Sequence, residues 1–219
     1  MIDYKLKLDS ITKFFGRRLI FKNISIDYQN NGIFGISGPN GSGKSTLVKI
    51  IANIISPSSG KVIHSNDTKE IPAEKLHNYI GFVSPYLILY DELTAEENIK
   101  FFAKIRSVKY NKEKIDYLFS EFLLEERRYD LVKTYSSGMK QRLKFIFALM
   151  HSPKLIILDE PTSNLDNDGK DKVYKLINEE SKNNIVIIAS NEDNDLSICS
   201  ETINLFQFKN NNTAIVKER

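Results

Sequence analysis

The chain has 219 residues, a length that fits one domain or one domain with an inserted lobe. Hydrophobic residues make up 41% of the sequence, which is enough for a packed core. No stretch approaches the ~20 apolar residues that a membrane helix needs. The net charge is only +3 and both signs are interspersed, which argues against a nucleic-acid surface, where basic residues cluster.

Two further features bear on the compartment. The first residues, Met1 to Tyr4, contain neither the basic start nor the apolar segment of a secretory signal. The single cysteine, Cys199, cannot form an internal disulfide, and we interpret it as a small buried hydrophobic residue rather than a redox group. We therefore expect a soluble cytoplasmic protein.

The N-terminal part of the chain predicts strands. Apolar and polar residues alternate over 2–8, Gly16 to Arg18 interrupts the pattern, and residues 21–28 resume it. This pattern predicts a two-stranded antiparallel lobe. A short apolar strand follows at Ile33 to Ile36, and residues 45–55 have the spacing of a helix.

The middle of the chain predicts helices. Thr94-x-x-Glu97 has the pattern of a capping box that opens a helix. A second helix is predicted over Asn111 to Phe122, and a third begins near Ser137. We expect residues 84–150 to form an inserted helical lobe.

The last third of the sequence alternates between strand and helix patterns. Strands are predicted over 155–158, 185–189 and 202–206, with a helix over 168–181. Such alternation indicates a mostly parallel sheet covered by helices on both faces, an α/β fold. The expected division is therefore an α/β core made of residues 1–83 and 151–219, carrying the antiparallel β lobe, with the helical lobe inserted at 84–150.

A glycine-rich loop connects the third predicted strand to the first predicted helix. Its pattern, G-x4-G-K-S, lets backbone N–H groups converge on phosphate oxygens at the positive end of the helix. We expect the lysine to reach the outer phosphates and the serine hydroxyl to ligate Mg²⁺. The alternative is a chance match in a glycine-rich turn. The pattern predicts ATP binding through Gly38, Pro39, Asn40, Gly41, Ser42, Gly43, Lys44, Ser45 and Thr46.

Two carboxylates end the apolar strand 155–158. Parallel strands bring their carboxyl ends to one edge of the sheet, so Asp159 and Glu160 are expected near the glycine-rich loop. In that position Asp159 would hold Mg²⁺ through water, and Glu160 would act as general base beside the catalytic Lys44. An acidic surface turn is the competing interpretation.

A third motif, Tyr135-Ser136-Ser137-Gly138-Met139-Lys140-Gln141-Arg142, precedes a helix between the first two. With the three motifs in this order, nearly the whole chain resembles the ATP-binding-cassette (ABC) ATPases, which have a P-loop NTPase core and a signature sequence here. The resemblance implies that Ser136, Ser137 and Gly138 bind the ATP held by a second chain in a head-to-tail dimer. Without that context, Ser-Ser-Gly would be an ordinary helix N-cap.

The resemblance assigns further residues. Phe15 matches the aromatic residue that stacks on adenine, with a core aromatic as the alternative. Asp166 matches a residue that crosses the dimer interface, with helix capping as the alternative. The family's usual glutamine after the strand 80–83 is replaced by Pro85, and its usual histidine after the strand 185–189 is replaced by Asn191, which can still donate to phosphate. We expect ATP binding with slow hydrolysis.

The resemblance also implies partners. Small bacterial exporter cassettes, such as the haem-exporter ATPase of cytochrome c biogenesis, are similar in length and signature. They imply a homodimer at the inner face of the cell membrane, attached to a membrane-spanning subunit on a separate chain. The apolar segment Tyr86 to Tyr90 is the candidate docking surface, although these side chains would equally serve to pack the lobe.

Two other functions stay open. One is a soluble ABC-type ATPase acting on ribosomes or DNA, which the single cassette and the absence of sustained heptads argue against. The other is a nucleotide sensor with weak hydrolysis. Pro85 and Asn191 fit a sensor, whereas the presence of Glu160 argues against it, because a sensor does not require a general base.

Overall fold

The computed structural model describes residues 4–67 and 69–209. The start considered for a signal, Met1 to Asp3, lies outside the described residues, and so does Ile2 of the predicted first strand. The described part contains nine strands and six α-helices. The strands are β1 Tyr4–Phe15, β2 Arg18–Tyr28, β3 Gly32–Ser37, β4 Ser59–Asn66, β5 Lys69–Glu70, β6 Ile80–Val83, β7 Leu155–Asp159, β8 Ile185–Ala189 and β9 Glu201–Asn204. The helices are α1 Lys44–Ile51, α2 Ala95–Ile105, α3 Lys112–Glu121, α4 Ser137–Leu149, α5 Asn167–Glu180 and α6 Asp193–Ser197.

An antiparallel sheet forms the N-terminal lobe. Its strand order is β2-β1-β4-β5, so the lobe has four described strands rather than the two predicted from the sequence. The prediction missed β4 because its sequence is mostly polar, and only His64 of the strand is buried. Pairing with β1 over seven residues holds β4 in place, which is a long-range contact that periodicity does not report.

A second sheet carries the rest of the core. Its order is β6-β7-β8-β3-β9, and every neighbouring pair is parallel. All residues of β7 and β8 are buried, as expected for central strands covered on both faces. The predicted α/β fold is confirmed. The carboxyl ends of β3, β7 and β8 consequently meet at one edge.

Two predicted elements end earlier than expected. Helix α1 stops at Ile51 because Asn53 takes a left-handed backbone with φ 57°, which ends a helix. The last strand stops at Asn204, whose side chain accepts a hydrogen bond from the Phe206 amide and starts a short 3₁₀ turn. The capping box predicted at Thr94 and Glu97 is present.

The helices α2, α3 and α4 lie between β6 and β7 in the chain, as predicted for residues 84–150. Helix α4 packs against β6, and its buried residues share one hydrophobic cluster with β7 and β8. The helical segment and the sheet therefore have a continuous core, and the division at residue 150 stays a prediction. Among the described residues, the helices are too short or too polar to cross a membrane.

Candidate functional site

An open cleft of about 820 Å³ lies at the carboxyl edge of the parallel sheet. This volume is in the range of cofactor and small-molecule sites. The cleft brings the glycine-rich loop, the ends of β7 and β8, and the segment after β6 into one site. It is lined by Phe15, Arg18, Ile20, Asn40, Gly41, Ser42, Gly43, Lys44, Ser45, Thr46, Pro85, Tyr86, Glu160, Ser163, Asn164, Asn191 and Glu192.

The glycine-rich loop runs directly from β3 into α1. Gly43 has φ 109°, and a Cβ there would lie 2.6 Å from Ile20 Cγ2, so a larger residue does not fit. Helix α1 begins at the next residue and directs the positive end of its dipole at the cleft. Ser42 and Ser163 line the cleft. Their hydroxyl oxygens are buried and have no hydrogen-bond partner in the described part of the chain. The arrangement suits a bound phosphate group.

Lys44 is held across the mouth of the loop. The residue is only 5% exposed, and its Nζ donates to the Gly38 carbonyl at 2.8 Å. The same ammonium lies 3.5 Å from Glu160 Oε1. A buried cation is costly unless it is paired, so both contacts stabilise it in this position. The predicted pair of Lys44 and Glu160 is thus brought together.

Asp159, the last residue of β7, lies beneath the loop. It is fully buried, and its Oδ1 accepts a hydrogen bond from Ser45 Oγ at 3.0 Å. Its Oδ2 has no partner within the described residues. Burial raises the pKa of Asp159, opposed by the hydrogen bond from Ser45 and by nearby lysines.

These two oxygen donors fit Mg²⁺, which prefers hard oxygen ligands and usually keeps waters and substrate phosphates in its shell. The unpartnered Asp159 Oδ2 is the free acceptor that such an ion requires. In the ranges 4–67 and 69–209, no three His, Cys, Asp or Glu side chains gather into a ready-made metal site. An ion held by Ser45 and Asp159 would therefore depend on phosphate oxygens and water.

Glu160 projects into the cleft from a left-handed backbone with φ 50°. Such a conformation is uncommon outside glycine and is often associated with functional sites. Burial raises the pKa of Glu160, and the Lys44 ammonium opposes that shift. The carboxylate is therefore available as a proton acceptor beside a cation.

A buried polar network that the sequence did not reveal lies beside Glu160. Ser190 Oγ lies 3.3 Å from Glu160 Oε2 and donates to Asp195 Oδ2 at 2.7 Å. Asp195 is almost completely buried and also accepts hydrogen bonds from Thr162 and Tyr174. The members come from the loop after β7, from α5, from the end of β8 and from α6, so only the fold brings them together. A polar residue directly after the apolar β8 was the available signal.

Three positions assigned by resemblance line the cleft. Phe15 is 52% exposed, so it is not the core aromatic that was the alternative, and Lys13 Nζ lies 4.9 Å from its ring centroid. Adenine stacking on Phe15 stays a prediction. Pro85 and Asn191 also face the cleft, at the ends of β6 and β8.

The remaining predicted residues lie elsewhere. Ser136 caps α4 by accepting from the Met139 amide at 3.2 Å, and Ser136 and Ser137 are exposed. Asp166 caps α5 by accepting from Gly169 N at 2.9 Å, as the capping alternative proposed. None of these, nor Gly138, lines the cleft of its own chain. Their use across a dimer stays a prediction.

Comparison with known proteins places this arrangement in a family. The sequence model of the family described as ABC transporter matches residues 21–163, so the chain belongs to the ABC transporter family. YdbJ of Bacillus subtilis, an uncharacterized ABC transporter ATP-binding protein, is 40% identical over 164 residues, which cover 75% of this chain and 53% of YdbJ. The linearmycin resistance ATP-binding protein LnrL of the same organism is 31% identical, over 84% of this chain and 60% of LnrL. The chain thus spans somewhat more than half the length of these relatives.

Solved structures have the same fold. A putative ABC transporter ATP-binding protein from Pyrococcus furiosus has a TM-score of 0.79 and 27% identity, covering 93% of this chain and 98% of its own. The ATP-binding cassette MJ0796, solved as a dimer in a post-hydrolysis state with ADP and Pi, has a TM-score of 0.79 and 25% identity. That alignment covers 91% of this chain and 93% of MJ0796.

Proposed function

We propose that the chain binds and hydrolyses ATP as the nucleotide-binding subunit of an ABC transporter. The observation that carries the proposal is the placement of Lys44, Glu160 and the Ser45–Asp159 pair around one cleft. A binding module without hydrolysis would need the loop and the lysine but not a carboxylate base beside them. Membership in the ABC transporter family and the fold shared with nucleotide-binding cassettes support the proposal.

Each side chain of the site has a separate role in the proposed hydrolysis. The loop amides and Lys44 neutralise phosphate charge, which increases as the terminal phosphoryl group is transferred. Glu160 accepts the proton of the attacking water, and the Lys44 ammonium, 3.5 Å from Glu160 Oε1, holds the carboxylate in the cleft. Ser45 and Asp159 would hold Mg²⁺, which supplies further charge neutralisation at the phosphates.

We propose that the active unit is a dimer of cassettes. The cassette MJ0796, which has the same fold as this chain, was solved as a dimer bound to ADP and Pi. In this chain Ser136, Ser137 and Gly138 lie at the N-terminus of α4 and do not line the cleft of their own chain. A helix N-terminus is suited to binding an anion. A second copy arranged head to tail would supply these groups to the open side of the cleft.

Hydrolysis is proposed to be slow. Pro85 faces the cleft without a side-chain donor or acceptor, and Asn191 can donate a hydrogen bond but cannot carry a positive charge. The test is steady-state phosphate release by the purified chain with magnesium and ATP. We expect turnover well below the ~10 s⁻¹ that is typical of enzymes, and Asn191→His should raise it severalfold. Turnover near that typical value would contradict slow hydrolysis, and no turnover at all would favour a nucleotide sensor.

The membrane partner is proposed to dock on an aromatic patch, defined as Tyr86, Ile88 and Tyr90. Tyr86 and Ile88 are 71% and 78% exposed, so packing of the lobe does not account for them. Tyr90 is 45% exposed, although its ring meets the Phe101 ring edge-on at 5.0 Å. The buried Asn98 fixes the segment by hydrogen bonds to the Tyr90 amide and carbonyl. A rigid, exposed apolar patch next to the cleft is suited to a membrane subunit, which would hold the chain at the inner face of the cell membrane.

Membrane recruitment tests the docking surface. In cells that express the transporter, Ile88→Asp with Tyr90→Asp should move the chain from the membrane pellet to the supernatant while ATP affinity is unchanged. Leu123→Asp, at an exposed apolar residue outside the aromatic patch, is the matched control and should leave recruitment intact. Recruitment of the double variant at the level of the unmodified chain would rule out this surface.

A further inference from the structure

A lysine on the signature helix lies in an unusual environment. Lys144 is on α4, is only 9% exposed, and extends its ammonium towards the segment after β6. Its Nζ donates to the Ser84 carbonyl at 3.1 Å and to the Pro85 carbonyl at 2.9 Å. Two elements that are 60 residues apart in the chain are joined by one side chain.

The contact is not an ion pair. Over residues 4–67 and 69–209, no carboxylate lies within ion-pair distance of Lys144. Burial lowers the pKa of its ammonium, as expected for a cation without a counter-charge. Other lysines of this helical region, such as Lys140, pair with surface carboxylates instead. A buried cation held only by two carbonyls is costly, which favours a specific role over simple packing.

The carbonyls belong to a segment that faces the nucleotide cleft. Pro85 and Tyr86 line the cleft, and the exposed aromatic patch begins at the same residues. The Ser84 carbonyl also accepts a hydrogen bond from the Leu87 amide at 3.1 Å, so Lys144 binds the first residue of a turn. From the other side, Lys49 Nζ of α1 lies 4.7 Å from the Tyr86 ring centroid.

Proline at position 85 has no side-chain donor or acceptor and no backbone N–H, so its carbonyl is the only group through which hydrogen bonding can fix it. That carbonyl is the one that Lys144 binds. The two helices that carry the phosphate loop and the signature serines therefore contact the 84–86 segment through Lys49 and Lys144.

We propose that Lys144 is a positioning residue that couples the signature helix to the cleft-lining segment 84–86. Movement of α4 when the signature approaches a partner's nucleotide is transmitted through the ammonium to the Ser84 and Pro85 carbonyls. The segment carries the signal to the cleft on one side and to the aromatic patch on the other. This inference rests on the proposed ATPase activity and adds a residue to it.

The test compares Lys144→Met with Lys144→Arg. Methionine keeps the length and apolar stem but removes all donors, whereas arginine retains donors and charge. With Lys144→Met, turnover at saturating ATP should fall about 10- to 100-fold, the range expected for losing a charge-assisted hydrogen bond. The Kd for ATP, measured with a fluorescent ATP analogue, should change less than about twofold, because Lys144 does not line the cleft. Lys144→Arg should recover most of the turnover.

A readout that does not depend on turnover is amide hydrogen exchange of peptide 84–93. ATP should protect this peptide in the unmodified chain, and the protection should be lost in Lys144→Met. Lys175→Met removes an exposed lysine of α5 with surface ion pairs and should behave as the unmodified chain. Should Lys144→Met fail to fold, Lys144→Gln, which keeps a neutral donor on a shorter side chain, should lose part of the turnover and part of the protection.

The outcomes separate the two proposals. If the unmodified chain neither binds nor hydrolyses ATP, the proposed function is wrong. If the unmodified chain is active, and Lys144→Met has the same turnover and the same protection of peptide 84–93, the positioning role alone is wrong. A parallel loss of ATP affinity and turnover in Lys144→Met and Lys144→Arg would likewise overturn it, because it would indicate general disruption of the cleft.

Discussion

The phosphate-loop side and the signature side of the proposed composite site differ in how completely one chain builds them. On the phosphate-loop side, Lys44 is buried and held by Gly38 and Glu160, and Ser45 is bonded to Asp159. On the signature side, Ser136 and its neighbours are exposed at the start of α4, and the Ser136 hydroxyl contacts only its own helix among the described residues.

This difference separates binding from turnover. If the proposed function is right, one chain contains the groups that bind the phosphates of ATP, so nucleotide affinity should belong to the monomer. The backbone N–H groups at the exposed N-terminus of α4 would gain an anionic partner only from the nucleotide held by another chain. Turnover should therefore depend on dimerisation, and variants on the two sides should affect different measurements.

Among variants of the signature side, the largest expected effect comes from placing a negative charge at the signature helix. Ser137→Asp should lower turnover about 100-fold, the size found when an anion-stabilising group is lost, because the new carboxylate repels the partner's phosphate. The variant should fold well, since an acidic residue in the first turn of a helix is favourable. The Kd for ATP should be unchanged, whereas a matching loss of affinity would break the proposed separation. Ser137→Ala, which adds no charge, is the control for steady-state turnover.

A second effect concerns the core on the phosphate-loop side, where His64 of β4 is buried against the Tyr4 hydroxyl at 2.6 Å. Burial lowers the pKa of His64 to about 4, below its usual value of 6.5. The folded state therefore binds fewer protons than the unfolded state between these values, and the free energy of unfolding should fall as the pH falls through this window.

The loss from His64 should be about 2 kcal/mol at pH 5 relative to pH 7.5. Urea unfolding at the two pH values measures it. His64→Leu removes the titrating group and should reduce the difference by that amount, although it leaves the Tyr4 hydroxyl unpaired at both pH values. An equal pH dependence in His64→Leu would show that other groups cause it.

The smallest expected effect concerns Asp166, for which the structure shows a capping role. Asp166→Ala should lower the free energy of unfolding by about 1 kcal/mol, since the Gly169 amide loses its acceptor. Asp166→Asn keeps an acceptor and should retain that stability. If Asp166 also crosses the dimer interface, Asp166→Asn should lower turnover without lowering stability. Unchanged turnover in Asp166→Asn would leave only the cap.

The sequence predicted where the residues of the phosphate-loop side lie, because the patterns that place them are local. Gly38 to Thr46 are contiguous, and the carboxylates after β7 follow a continuous apolar strand, so spacing alone brings them to one sheet edge. The helices of the middle segment were likewise predicted by caps and periodicity, as at Thr94.

The parts that sequence reasoning missed depend on contacts between distant segments. Strand β4 is held by its pairing with β1, which no local pattern shows. Ser190 comes to lie between Glu160 and Asp195 only when β7, β8 and α6 are packed together. In the sequence Lys144 looks like any other lysine of a helix, and its burial against Pro85 appears only in the fold.

The composite site is tested most directly by the oligomeric state of Glu160→Gln. Removing the base should suppress hydrolysis by ~10²- to 10⁴-fold while preserving the shape of the cleft. Light scattering during size-exclusion chromatography with magnesium and ATP should then give twice the 25.2 kDa mass of one chain, and a single-chain mass with ADP. Adding Ser137→Asp should abolish the dimer. A Glu160→Gln chain that binds ATP but keeps the single-chain mass would contradict a site shared between two chains.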